Sequence, residues 1–152
     1  MDNPKSTASI ADHPIHPMIV PFPSAFFVAT LVCDLLFWRS ANAGWAIAAM
    51  WLLGAGLVMA LLAALAGVVE FAGDRRIRRL DAAWWHAGTN VAVVVIEAVN
   101  LYLRSMHGAE IVIPTGLLLS LLGAVLLLFS GWKGGALVYR YRVGIRHNNE
   151  PL

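Results

Sequence analysis

Apolar residues in this chain do not alternate with polar ones. They gather into four long runs, at roughly residues 22–38, 45–71, 82–102 and 111–132. The hydrocarbon core of a bilayer takes about 20 residues of helix, so the first run is marginal and the second is long enough to tilt or project. The links between them are short: RSANAG, GDRRIRRLD and RSMHGAE. Links of that length join antiparallel neighbours. The pattern predicts an all-α polytopic membrane protein, with residues 1–152 forming one antiparallel bundle of four transmembrane helices.

Composition agrees with that solvent. Of the 152 residues, 59% are hydrophobic and 13% charged, against about 45–50% and about 25% in a soluble domain. The single cysteine, Cys33, lies inside an apolar run and has no intrachain partner. The N-terminal stretch is too polar and too broken by prolines for a signal peptide, so the first run is expected to stay in the protein. Glycine-rich phosphate loops, GxSxG and HExxH are all absent.

Basic residues orient the bundle. Lys5, Arg75, Arg76, Arg78, Arg79, Lys133, Arg140, Arg142 and Arg146 fall at one end, and only Arg39 and Arg104 fall toward the other. The positive-inside rule then places both termini on the cytoplasmic side. Basic clusters beside apolar runs suit anionic lipid headgroups rather than nucleic acid.

The candidate chemistry begins in HPIHPMIVPFP, residues 13–23, at the threshold of the first run. Prolines favour a polyproline-like conformation with about three residues per turn. That would turn His13 and His16 the same way, with Pro17 in the first turn of the following helix. Topology carries Glu70 and His86 to the same end. Imidazoles with a carboxylate are a ligand set for zinc or iron, and two opposed histidines can ligate haem. Interfacial placement of half-polar side chains is the competing explanation.

The third run carries a polar stripe. At about 100° per residue, His86, Asn90, Glu97, Asn100 and Arg104 fall within roughly 80° on an otherwise apolar helix. Ionisable groups at membrane depth face the bundle interior and find partners. Asp34, at similar depth in the first run, is the expected partner of Arg104. Gly56, Ala60 and Ala64, like Gly116, Ser120 and Ala124, read as small-residue ladders for close helix packing.

These motifs resemble the domain of unknown function 2231 family of predicted bacterial membrane proteins. The resemblance runs from HPIHPMIVPFP through GVVEF and WHAGTN to GWKGGALVYRYRVGI. It implies that His13, His16, His86, Asn90, Asn100, Gly134, Gly135 and Tyr139 are characteristic positions. It also implies redox company, because some relatives are joined to Rieske-type or cytochrome c modules. Pro21 stands where many relatives have a further histidine, and Glu70-Phe71 where they have Asp-Trp.

The leading expectation is a membrane protein that binds a metal or haem at its cytoplasmic end and serves electron transfer. His16, His86 and Asn90 are the expected cofactor contacts, and His13, His16, Glu70 and His86 the expected metal set. The cofactor is then haem b or a zinc or iron ion. The partners implied are lipid, a redox protein and a second copy of the chain. A cofactor-free scaffold or accessory subunit is the alternative. A small proton or ion path, using Asp34, Asn90, Glu97, Asn100 and Arg104, is the third reading.

Overall fold

The computed structural model describes residues 7–11 and 13–145. Lys5 and Arg146, counted above among the orienting charges, lie outside the described residues. The chain opens with a two-stranded antiparallel hairpin, β1 (Ser9–Ile10) and β2 (His13–Pro14), followed by the short helix α1 (Ile15–Ile19). Four long helices then follow: α2 (Pro21–Ser40), α3 (Ala43–Gly73), α4 (Asp81–His107) and α5 (Leu117–Tyr139).

Each boundary has a local cause. Pro21 opens α2 at a position where a missing N–H costs nothing. Ala41 takes a left-handed conformation (φ 53°) and stops it, while Asn42 accepts from the Gly44 N–H to start α3. At the far end of α3, Arg78 donates to the Phe71 and Ala72 carbonyls, at 3.1 and 2.5 Å. Those carbonyls have no partner within the helix, and an arginine satisfies them. The last run was expected at 111–132, but the helix is displaced to Leu117–Tyr139. Gly108 (φ 64°) ends α4, and Pro114 has no N–H for a helical ladder, so residues 108–116 form tight 3-10 and π turns instead.

By length and apolarity, three helical stretches qualify to cross a membrane, rather than the four expected: 15–40, 43–73 and 81–139. The third runs through the turns at 108–116. On either side of them the backbone doubles back, because Asn100 bonds Ser120 at 3.0 Å and Asn90 bonds Ser130 at 2.7 Å. Pairing that widens symmetrically about the turn makes α4 and α5 antiparallel neighbours.

Packing leaves the outside apolar. Trp51, Leu128 and Trp132 are each more than three-quarters exposed, and Leu65, Val91 and Val95 are exposed beside them. Apolar surface on this scale is far beyond the scattered patches that water tolerates, and lipid is its natural solvent. The interior is small: Phe27, Leu53 and Val93, backed by Leu57, Ala60, Leu101, Leu126 and Leu127. Gly56 makes room for Phe27, whose ring would lie 2.6 Å from a Cβ there. The expected ladder on α3 holds at Gly56 and Ala60 and differs at its last rung, where Ala63 is buried and Ala64 exposed.

The stripe on α4 faces inward, with Glu97, Asn100 and Arg104 buried and His86 and Asn90 half-buried. In a Cys33→Ser background, cysteines at Glu97 and Asn100 should react slowly with a lipid-soluble maleimide. Cysteines at Val91 and Val95 should react readily. Equal labelling at all four would place the stripe against lipid.

Candidate functional site

Two polar centres occupy opposite ends of the bundle. The first is a pair of imidazoles. His16 on α1 and His86 near the start of α4 stand with ring centres 6.0 Å apart and planes perpendicular. Each is seated on a glycine of another helix: a Cβ at Gly67 of α3 would lie 3.1 Å from the His16 ring, and one at Gly134 of α5 would lie 3.0 Å from the His86 ring. Any larger residue at either glycine would push its imidazole away.

The seats also fix the rings chemically. His16 Nδ1 lies 2.8 Å from the carbonyl of Ala63, one helical turn before Gly67. His86 Nδ1 lies 3.0 Å from the carbonyl of Ser130, one turn before Gly134. A carbonyl only accepts, so a neutral His16 carries its proton on Nδ1 and its lone pair on Nε2; at His86 the Ser130 hydroxyl also lies 3.0 Å from Nδ1, and the tautomer that satisfies the carbonyl is the same one. Backbone-oriented imidazoles with a basic Nε2 are the form in which histidine binds metals. Asn90 completes this end. Its two amide hydrogens face three acceptors: Ser130 Oγ at 2.7 Å, the His86 carbonyl at 2.8 Å and His86 Nε2 at 3.3 Å. The two shorter bonds exhaust the donors, which leaves the His86 Nε2 lone pair weakly engaged.

The expected metal set of His13, His16, Glu70 and His86 does not assemble. Among the described residues no group of three or more His, Cys, Asp or Glu side chains is arranged to hold a metal ion. The polyproline phase expected for HPIHP is broken, because His13 lies in β2 and His16 in α1. His13 turns back onto its own hairpin, with Nδ1 2.7 Å from the Ala11 carbonyl. Glu70 sits on α3 one turn beyond Gly67. A closed four-ligand zinc site is therefore not carried forward.

The second centre lies toward the other end. Arg104 grips Asp34 with both terminal nitrogens, each at 2.7 Å, and its Nε donates to Asn100 Oδ1 at 2.9 Å. The Ser120 hydroxyl donates to Asp34 Oδ2 at 2.7 Å. Asn100 spends its amide hydrogens on Ser120 Oγ at 3.0 Å and Glu97 Oε2 at 3.1 Å. All five side chains are at most 2% exposed. Glu97 Oε1 is the exception to this accounting: it is buried with no hydrogen-bond partner among the described residues.

Residues 12–147 match the description of a predicted membrane protein family, DUF2231. The chain belongs to the DUF2231 family. Comparison with curated proteins and with solved structures gives no match. Within the DUF2231 pattern, the structure gathers His16, His86, Asn90 and Gly134 at one centre and puts Asn100 at the other. It leaves Tyr139 exposed at the end of α5.

Several residues of this DUF2231 chain that complete the two centres are not singled out by the sequence pattern: Ser120 fits a packing ladder, Gly67 only opens GVVEF, and Ser130 and Gly123 belong to no motif. The serines carried a usable signal. Each is a hydroxyl on a helix of leucine, valine and glycine, and such groups turn inward in a membrane bundle.

The ion pair has a direct energetic consequence. Removing one partner leaves a buried charge uncompensated, which costs about 3–5 kcal/mol, whereas replacing both with apolar groups is close to neutral. Arg104→Met should therefore destabilise the detergent-solubilised protein by about that much in a denaturation series, and Asp34→Leu combined with Arg104→Met should recover most of it. Additive losses would show that the pair contributes through packing alone.

Proposed function

We propose that His16 and His86 of this membrane protein would hold a redox cofactor, a haem iron first, and that the protein passes electrons at the cytoplasmic end of a bundle that crosses the membrane four times. The observation that carries the reading is the matched seating of the two rings, each on a glycine and each donating Nδ1–H to a backbone carbonyl. Interfacial histidines do not need two such seats. With ring centres 6.0 Å apart, the two imidazoles are close enough for one group to be held between them.

The roles of the chain's own residues follow from the geometry. His16 and His86 present Nε2, Ala63 and Ser130 hold the tautomer, and Asn90 holds Ser130 in place. A haem with two such ligands supplies reversible one-electron chemistry when bound. Four crossings are supported by the length of the 81–139 stretch, about 88 Å if straight against a core of about 30 Å, and by its antiparallel return. A cytoplasmic position for the pair is supported by the arginines of the 74–79 link, since three of them, Arg75, Arg76 and Arg79, are exposed at the same end. A redox protein and a second copy of the chain are the partners this role invites.

The test is an optical spectrum of the detergent-purified protein, oxidised and dithionite-reduced, with metal analysis of the same sample. The expected result is a stoichiometric cofactor that is lost in His16→Ala and in His86→Ala and kept in His107→Ala, which lies at the opposite end. Wild-type protein free of cofactor after expression in a host supplied with iron and haem would favour the scaffold reading.

A further inference from the structure

Glu97 is the one member of the buried centre whose hydrogen bonds do not close, and the charges around it leave it no counter-ion. On its own helix the facing charge is Arg104; from α2 it is Asp34. From α5 the facing groups are the Ser120 hydroxyl and the bare backbone at Gly123, neither of them charged. Both terminal nitrogens of Arg104 are engaged by Asp34, and its Nε by Asn100. Asp34 and Arg104 already sum to zero. An ionised Glu97 would therefore add an unpaired negative charge at 1% exposure, the arrangement that low-dielectric interiors tolerate least.

The wall opposite Glu97 is specific. A Cβ at Gly123 would collide with Glu97 Oε1, so the carboxyl occupies the space that a side chain on α5 would fill. The glycine thus makes a socket for an oxygen that has no donor among the described residues. We propose that Glu97 Oε1 is a binding site for one exchangeable proton, taken up from water to form the neutral acid and returned as the carboxylate re-forms. Proton uptake removes the unpaired negative charge and brings the centre to zero net charge. Glu97 stands on the same face of α4 as Asn90 and His86, about 10 Å along the axis from the first and about 16 Å from the second. The apolar core at Val93 lies between this proton site and the histidine end. The inference is independent of any cofactor at the histidines.

Infrared spectroscopy of the full chain in detergent at neutral pH tests it, using carbon-13 carboxyl-labelled glutamate. The expected result is a carbonyl band of a protonated acid that shifts on labelling and on transfer to heavy water. The band should persist when Glu70, Glu110 and Glu150 are all changed to Gln, and should vanish in Glu97→Gln. Gly123→Ala, which crowds Oε1, should shift its frequency. Absence of an acid band in labelled wild type, or its loss in the triple variant, would overturn the proposal even if Glu97→Gln fails to fold.

Discussion

An ionised group inside a hydrocarbon layer must meet its counter-charge within the protein, and in this chain that rule binds Arg104 to Asp34. The two residues are 70 positions apart, on helices that contact each other only if the bundle closes. Ser120 on α5 donates to the same carboxylate, so one ionic contact ties three helices. Water is not available to solvate a misfolded alternative, which makes the pair a specification of register as well as an interaction. The small apolar core of Phe27, Leu53 and Val93 alone sets no such register, because lipid tails are as apolar as leucine.

With that register set, the other end of the bundle is determined. Closing α2, α4 and α5 around Asp34 puts the start of α4 beside the end of α5, and hence His86 against Gly134. The hairpin and α1 fold over the end of α3, where Thr7 donates to the Val69 carbonyl and His16 settles on Gly67. Two imidazoles from unrelated parts of the chain thus arrive on equivalent glycine seats. Repetition of the same device, a glycine with the carbonyl one turn earlier, distinguishes this end from a belt of interfacial side chains. Trp84, whose indole N–H donates to the Arg78 carbonyl at 2.9 Å, and the exposed Trp85 show what ordinary interfacial residues do here.

Much of the architecture was legible in the sequence, and the reasons are physical. Long apolar runs mark helices because the backbone must satisfy itself in lipid, and the inward stripe of α4 followed from helical phase. The partnership of Asp34 with Arg104 was readable from depth and charge. What was not readable depended on the third dimension. The HPIHP phase could not reveal that the chain switches from strand to helix between His13 and His16, which separates the two. Glycine spacing announced close packing but not that Gly67 and Gly134 would receive histidines. Pro114 displaced the last helix by several residues, and run length alone did not register that.

The proposed electron-transfer role requires that α4 and α5 form a hairpin crossing the membrane twice, with the imidazole pair and the arginine link on the cytoplasmic side. Reporter fusions at Arg76 and at Ala109 test it most directly in cells. Cytoplasmic activity at Arg76 together with periplasmic activity at Ala109 is the predicted outcome. Reports from the same side at both positions would mean that α4 does not cross, and would contradict the account.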